Sequence, residues 1–178
     1  IRKKQRSISS ISSKIRKNDK SEGKGIYYWN DGDRYEGECK NDKSEGKGIY
    51  HWNNGDIYEG EWKNDKMEGK GIYYYNRDPF KGDRYKGYWK NDRQDKFGIE
   101  EWPKFDYIGD YLNGVKEGIG IMNIKQGIYK GQMKGGNFNG IGKFVFNDKR
   151  KYEGEFMNNK MEGFGILYLP NNKIFVTS

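Results

Sequence analysis

The segment from residue 58 to residue 76 reads YEGEWKNDKMEGKGIYYYN, and the chain repeats it with small changes. It combines glycines, acidic residues and aromatic rings with few aliphatic side chains. The starting positions of the copies are separated by 23, 27, 22, 22 and 23 residues. Each copy begins at a tyrosine: Tyr35, Tyr58, Tyr85, Tyr107, Tyr129 and Tyr152. A period of this length indicates an array of one structural unit.

The opening letters YEGEW predict a β-strand. Strict alternation places Tyr58, Gly60 and Trp62 on one face of this strand. Glu59 and Glu61 then lie on the opposite face, which we expect to be solvated and salt-bridged with the many lysines. A second run of strand-forming residues follows the EGKG segment, so each repeat is predicted to be a β-hairpin. Because one hairpin is marginally stable in water, the hairpins are expected to stack side by side.

Turns and glycines support the same interpretation. The polar residues 63–66 separate the two strands, and the dipeptide Asn54-Gly55 between repeats is typical of a tight turn with positive φ at both central residues. Glycine inside a strand, as at Gly60, normally weakens the strand. We therefore expect a ring from the neighbouring strand to lie over the bare glycine backbone. The paired glycines of EGKG are expected to allow close backbone approach at the bend.

Composition and charge narrow the classes of function. The mean hydropathy of −1.20 would suit a disordered chain, but the regular spacing of the aromatic residues argues against disorder. A single cysteine favours a reducing, intracellular setting. The net charge is +8, of which residues 1–20 carry +7 from eight basic residues and one acidic residue. The repeats are therefore nearly neutral, and the basic character belongs to the N-terminal segment.

The phrase Tyr-Glu-Gly-Glu-Trp-x-Asn-x-x-x-x-Gly-x-Gly resembles the MORN repeat (membrane occupation and recognition nexus). The resemblance covers residues 21–176, as a leading half-repeat over 21–34 and six full repeats that begin at the tyrosines named above. It implies an all-β fold, an elongated single-layer antiparallel meander of stacked β-hairpins that forms a twisted rod or trough. Residues 1–20 are expected to be a flexible basic tail.

Some positions depart from the repeat pattern. Cys39 and Met133 stand where Trp62 stands, Lys96 replaces an expected glycine, and residues 77–81 are an insertion. The third repeat is therefore the expected site of a bulge, a bend or a partner-specific contact. The alternative is sequence drift without consequence.

The sequence predicts no enzyme, no metal site and no cofactor. His51 occupies the position of Tyr28 and Tyr74 in other repeats, which indicates a surface substitution, and Cys39 is interpreted as a small packed hydrophobic residue. One histidine and one cysteine cannot supply the usual four ligands of zinc. The glycines match no phosphate-binding motif. Binding of nucleic acid is not expected, because the repeat region is nearly neutral.

The leading hypothesis is a cytoplasmic, non-catalytic scaffold that binds other proteins, or a second copy of itself. MORN arrays, as the resemblance implies, bind peptides of motor or structural proteins, dimerise, or belong to ciliary and other cytoskeletal assemblies. A single-layer sheet leaves rings open to such a partner. We expect the floor of the binding groove to consist of six first-strand rings: Tyr58, Trp62, Tyr85, Trp89, Tyr107 and Tyr111. The alternative is that these rings only pack on one another.

Two further hypotheses remain open. The N-terminal segment could attach the protein to anionic phospholipids or to an acidic protein surface, with phosphorylation of its serines as a switch. Its basic residues are Arg2, Lys3, Lys4, Arg6, Lys14, Arg16, Lys17 and Lys20. Alternatively, the array is appended to an enzyme outside these residues, because similar repeats are found beside lipid kinases and methyltransferases.

Overall fold

The computed structural model describes the backbone of residues 6–7, 15–17, 20–102 and 106–177, and the side chains of 22–102 and 106–177. It divides into two compact units, Ile1–Arg93 and Gln94–Ser178. The described residues form strands and turns, and none of them lies in a helix. Each unit is a stack of β-hairpins.

The described residues of the first unit contain eight strands. They are β1 (Arg6–Ser7), β2 (Ile15–Lys17), β3 (Lys20–Trp29), β4 (Arg34–Lys40), β5 (Lys43–His51), β6 (Ile57–Lys63), β7 (Lys66–Tyr74) and β8 (Arg84–Lys90). Strands β3 to β8 are antiparallel neighbours in chain order. Both short strands, β1 and β2, pair with β3.

The described residues of the second unit contain the other eight strands, the first of which starts at the boundary between the units. They are β9 (Arg93–Glu101), β10 (Asp106–Leu112), β11 (Val115–Ile124), β12 (Gly127–Lys134), β13 (Asn137–Phe146), β14 (Lys151–Met157), β15 (Lys160–Tyr168) and β16 (Ile174–Thr177). They too are antiparallel neighbours in chain order. The predicted all-β meander of stacked hairpins is thus confirmed within each unit.

A row of glycines runs across the strands, and the rings of the core tyrosines pack on it. Gly60 is opposite Gly48 on one side and Gly71 on the other. The fully buried Tyr58 ring lies over this row, because a Cβ added to Gly71 would be 2.3 Å from the Tyr58 hydroxyl oxygen, and one added to Gly60 would be 2.5 Å away. The ring therefore covers a glycine of its own strand as well as one of the next strand. The prediction named only the second of these.

The hydroxyl of each core tyrosine has a fixed partner. Tyr58 donates a hydrogen bond of 3.1 Å to the carbonyl of Glu61, three residues later. The other five lead tyrosines make the same bond, at 2.6 to 3.1 Å. Burial raises the pKa of Tyr129 to about 12 and that of Tyr58 further, so both hydroxyls stay protonated and act as donors. The ring of each core tyrosine thus packs on the glycines, while its hydroxyl makes a hydrogen bond within the same strand.

The turn within each repeat links it to the preceding repeat. Asn64 and Asp65 have φ values of 51° and 65°, the left-handed region that asparagine and aspartate tolerate better than most residues. The Asp65 carboxylate accepts a 2.7 Å hydrogen bond from the backbone N–H of Ser44, and the Asp65 N–H donates to the Ser44 carbonyl at 3.1 Å. This two-point contact ties hairpin to hairpin.

The turns between repeats differ from the prediction. In the Asn54-Gly55 dipeptide only Gly55 has positive φ, at 92°. The Gly55 N–H donates to the carbonyl of Trp52, and the Trp52 N–H donates to the carbonyl of Asp56, so the loop is longer than a two-residue turn. The two-residue turn with positive φ at both positions occurs inside the repeat, at Asn64 and Asp65.

The EGKG segment forms a bulge. The register of β6 against β7 shifts between Gly60 and Trp62, and Gly69 has a φ of 65° at this point. Glu61 accepts a 3.0 Å hydrogen bond from the backbone N–H of Lys70 there. The second glutamate of YEGE therefore has a structural role in the bulge, which the prediction of a merely solvated glutamate missed. In the third repeat, Lys96 takes the left-handed conformation in place of glycine, with φ of 56°.

Candidate protein-binding surface

The six rings predicted to form the floor of a groove are buried. Tyr58 and Tyr85 have no exposed surface, and Trp62, with 6% exposed, is the most accessible of the six. Trp62 packs edge-on against Tyr58 and Tyr35, with ring centroids 5.2 and 5.4 Å apart. Its indole N–H donates to the carbonyl of Gly48 at 3.1 Å. The alternative stated above, that these rings pack on one another, describes their environment in the structure.

A second set of rings on the same face is half-buried, with its last member exposed, and it forms a continuous surface in the first unit. We call this surface the aromatic row. Its rings contact their neighbours at centroid distances of 5.3, 4.6, 5.2, 4.7 and 6.3 Å in turn. The members, in spatial order, are Trp29, Tyr50, Trp52, Tyr73, Tyr75 and Phe80.

Five of these six rings come from the second strand of a repeat or the residue just after it, which is why attention to the YEGEW phrase missed them. The sequence contains a signal for them. In YYW, YHW and YYY the first and third residues recur in successive repeats, at 27–29, 50–52 and 73–75. Alternation along a strand directs the first and third side chains to one face. The middle residue, such as Tyr74, faces the other side.

Two buried aspartates accept hydrogen bonds from tyrosine hydroxyls of the aromatic row. Asp56, fully buried, accepts a 2.9 Å hydrogen bond from the hydroxyl of Tyr73 and another from the backbone N–H of Asn76. Asp33 makes the same pair of bonds one repeat earlier, from the hydroxyl of Tyr50 at 2.6 Å and the N–H of Asn53 at 2.9 Å. Burial, and next the hydrogen bond to Asp56, raise the pKa of the Tyr73 hydroxyl. The rings are therefore held in position before any partner arrives.

Asp83 occupies the equivalent position at the end of the row, but its environment differs. It is 5% exposed, and its Oδ1 atom has no hydrogen-bond partner. Burial raises the pKa of this carboxyl. Its backbone accepts a hydrogen bond from the N–H of Tyr75 and donates one to the carbonyl of Phe80, which places it next to the residues that carry the last two rings. A buried carboxylate oxygen without a donor is costly and marks this position as unusual.

The opposite face of the first unit carries charged residues and isoleucines. A shallow groove of about 860 Å³ lies there, lined by alternating lysines, glutamates and isoleucines around the glycine row. Lys47 is paired in register with Glu61, and Ile49 with Glu59. The mixture of charges resembles the predicted solvated face, and its glutamates include the bulge acceptor Glu61. We therefore place the candidate binding surface on the aromatic side.

In the second unit, exposed isoleucines stand at two positions that lysines occupy in the first unit. Ile119 is 55% exposed and Ile141 60% exposed, and both lie opposite a polar residue in the register of the sheet. The repeat at Tyr129 has no Asp–Tyr pair like those of the first unit, because Gly127 stands at the position of Asp56 and Phe144 at that of Tyr73. The two units therefore present different surfaces.

Other predicted features have these positions. The side chains of residues 1–21, which include the basic residues of the predicted tail, are outside the described residues. Cys39 is buried, and His51 is half-buried on β5. Within residues 22–102 and 106–177 there is no cluster of three or more potential metal ligands. No part of the chain that the structure describes forms a helix long and apolar enough to cross a membrane.

Hairpins of one design, stacked in register and each closed by a two-residue turn with positive φ, define a β-hairpin repeat protein. The model of the MORN repeat matches seven segments of the sequence, and the chain belongs to the MORN repeat family. The matched segments are 17–34, 35–57, 58–77, 85–106, 107–125, 129–149 and 152–174. The predicted half-repeat before Tyr35 is thus recognised as a repeat in its own right.

Solved structures with a similar fold come from Drosophila melanogaster. The SAS-4 (dCPAP) TCP domain, solved in complex with a Proline Rich Motif of Ana2 (dSTIL), is 18% identical with a TM-score of 0.51, over 93% of this chain and 89% of that one. The TCP10c domain of Sas-4 is 17% identical with a TM-score of 0.46, over 93% of this chain and 98% of the other. At this identity the likeness concerns the fold. A comparison with curated protein sequences finds no significant match.

Proposed function

We propose that this chain is a non-catalytic, cytoplasmic protein-interaction scaffold of a cytoskeletal assembly, with a cilium as its expected setting. It binds an extended segment of a partner protein along the aromatic row. The observation that carries this proposal is the continuous line of accessible rings from Trp29 to Phe80 on one face of the first unit. Aromatic side chains supply large contact areas at low entropic cost, and they are enriched at protein interfaces.

Membership of the MORN family supports a scaffold role. A protein with the same fold, the SAS-4 TCP domain, was solved in complex with a motif of another protein, which supports a protein partner. The fixed tyrosine hydroxyls add a physical argument. Since Asp33 and Asp56 already order the rings, binding does not have to immobilise them, and less entropy is lost.

The test is affinity capture from the native source with three forms of the protein. We expect the wild type and the control Tyr74→Ser to retain the same cytoskeletal proteins, and the double variant Trp52→Ser/Tyr75→Ser to lose them. Tyr74 is a suitable control because it adjoins Tyr75 in the chain but faces the other side of the sheet. Equal recovery on the double variant, with its thermal midpoint unchanged, would contradict the proposal.

A second function is proposed on the strength of charge alone. The +7 of residues 1–20 suits anionic phospholipid headgroups, to which each basic residue near the surface contributes about 1 kcal/mol. This attachment is independent of the aromatic row.

A further inference from the structure

We propose that the occupant of the aromatic row is a proline-rich segment in the polyproline II conformation. It lies across the strands with one helical turn per repeat and places a basic side chain at Asp83. This inference rests on the proposed function, because it specifies the partner of the same surface. Four observations lead to it: the spacing of the rings, their rigidity, the charge of the adjoining loops and the unpaired oxygen of Asp83.

The spacing of the rings matches the pitch of polyproline II. Equivalent rings such as Trp29 and Trp52 are two strands apart, and two strand spacings amount to ~9.6 Å. Polyproline II advances ~9.3 Å in one turn of three residues. A proline at every third position therefore meets an equivalent ring in each repeat. Over two repeats the mismatch is only ~0.6 Å.

Other conformations match the row less well. A β-strand directs side chains to one face every ~6.7 Å, so that its contacts and the rings fall out of step within one repeat. An α-helix returns to the same face after seven residues, or ~10.5 Å, and its mismatch over two repeats is ~1.8 Å. Side-chain contacts do not tolerate an error of that size without rearrangement. Polyproline II is the regular conformation that keeps its contacts in register.

The chemistry of the row suits proline. Flat rings such as Trp52 and Tyr73, 5.2 Å apart, offer the shallow apolar clefts into which pyrrolidine rings pack. Both partners are rigid, since polyproline II is preformed in solution and Asp56 holds the hydroxyl of Tyr73. Binding therefore loses little conformational entropy on either side.

The loops beside the row carry negative charge, although the whole chain is basic. The loops are residues 30–33, 53–56 and 76–83. They contain five acidic residues and two basic residues, which gives a net charge of −3. This charge complements a proline-rich segment that also carries arginine or lysine.

Asp83 provides the most specific contact for such a residue. One of its carboxylate oxygens has no hydrogen-bond donor, and its backbone hydrogen-bonds to the backbones of Tyr75 and Phe80 at the end of the row. Asp33 and Asp56 differ, because donors from the following repeat already satisfy them. A guanidinium or ammonium group of the bound segment would supply the missing donor as a charge-assisted hydrogen bond.

The test uses labelled nine-residue peptides and fluorescence anisotropy on the full chain. The probe is three Pro-Pro-Arg triplets, and its comparisons are three Gly-Gly-Arg triplets of equal charge and three Pro-Pro-Gln triplets of equal conformation. We expect the Pro-Pro-Arg peptide to bind about tenfold more tightly than either, because each comparison loses one of the two kinds of contact. Similar affinity for the Gly-Gly-Arg peptide would overturn the inference.

Point variants test which residues of the protein contact the peptide. Trp52→Ser is expected to weaken binding of the Pro-Pro-Arg peptide about tenfold, and Tyr74→Ser to leave it unchanged. Asp83→Asn is expected to weaken the Pro-Pro-Arg peptide about fivefold and to leave the Pro-Pro-Gln peptide unaffected. Tyr75→Ser is a second row variant in case Trp52→Ser fails to fold. Equal losses for both peptides in Asp83→Asn would contradict the role of that carboxylate.

A random-peptide library selected on the wild type, and screened against binding to Trp52→Ser, separates this inference from the proposed function. Ligands with proline at every third position and nearby arginine or lysine support the inference. Ligands that depend on Trp52 but lack the proline period overturn the inference and leave the scaffold proposal intact. If no ligand depends on Trp52, both are overturned.

Discussion

At the scale of single residues, the tyrosine, glycine, second glutamate and tryptophan of the repeat each have a definite structural role. Tyrosine covers two glycines and satisfies its hydroxyl on a carbonyl three residues later. The second glutamate accepts a backbone N–H at the bulge, and tryptophan bonds back to the preceding repeat. Glycine is required where the ring of Tyr58 lies, because any Cβ there would overlap the ring. The core is thus built from rings on bare backbone, with very few aliphatic residues.

The fit of Tyr58 over the glycine row can be tested by adding one methyl group. Gly71→Ala places a Cβ 2.3 Å from the Tyr58 hydroxyl oxygen, and we expect it to destabilise the protein by about 3 kcal/mol. Gly25→Ala is the matched control, because the nearest atom there is 3.3 Å away and is part of the Tyr27 ring. It is expected to cost less than ~1 kcal/mol. Urea unfolding followed by tryptophan fluorescence measures both, and equal losses would contradict the packing argument.

The buried aspartates should respond differently to mutation and to pH. Asp56→Ala removes the acceptor of Tyr73 and Asn76, with an expected cost of about 3 kcal/mol in the free energy of unfolding.

Burial raises the pKa of Asp83 in the folded protein, so the unfolded chain loses this proton at a lower pH. The charged form therefore opposes folding, and the stability that Asp83 contributes falls as pH rises from the ordinary value through the raised one.

We accordingly expect Asp83→Asn to have a thermal midpoint equal to that of the wild type at low pH and higher than that of the wild type at neutral pH. Melting curves followed by circular dichroism between about pH 4 and pH 7 cover this window. If instead the thermal midpoint of the wild type exceeded that of Asp83→Asn by a margin that grows as the pH rises, Asp83 would be stabilised as an anion.

At the scale of elements, the hairpin is completed by its neighbours. The turn at Asn64 and Asp65 closes one hairpin and bonds to Ser44 of the previous one. The same backbone contact recurs in the second unit, where the Gly136 N–H donates to the carbonyl of Lys116 at 3.0 Å. A turn that bonds outward makes each hairpin depend on the one before it, which is the basis of cooperative stability in repeat proteins.

Two substitutions at Asp65 separate its side-chain contact from its backbone conformation. Asp65→Gly keeps the positive φ but removes the acceptor of the Ser44 N–H, and we expect a loss of about 1.5 kcal/mol. Asp65→Ala removes the acceptor and also strains the left-handed backbone, so we expect about 1 kcal/mol more. Chemical denaturation distinguishes them. If alanine were no worse than glycine, the conformational part of the argument would fail.

At the scale of the whole molecule, two units built from one repeat present different surfaces. The first has the aromatic row and its Asp–Tyr pairs. In the second, Phe144 and other residues without a hydroxyl replace the tyrosines, and isoleucines such as Ile141 are exposed. One fold can therefore offer separate binding surfaces, because the positions outside the glycine row and the turns are free to vary.

The charge of residues 1–20 provides a test of the lipid proposal. We expect the full chain to sediment with vesicles that contain phosphatidylserine, and to lose most of this binding without residues 1–20 or in 0.5 M salt, because screening shortens the reach of exposed charges. Vesicles of phosphatidylcholine alone are the control. Binding that survives both the truncation and the salt would have to come from another part of the molecule.

The sequence by itself determined the hairpin array. The period of 22 to 27 residues, the alternation in YEGEW and the polar turns depend on local geometry, which is the same in every copy. The sequence also predicted that an aromatic ring lies over the glycine backbone. Only the tertiary structure decided which rings are buried. Trp62 and Trp52 are equally apolar in the sequence, but Trp62 packs against three rings, Tyr35, Tyr50 and Tyr58, and is 6% exposed. Trp52 contacts two, Tyr50 and Tyr73, and is only half-buried. Burial depends on neighbours 20 or more residues away, and the pattern of a single repeat does not contain them.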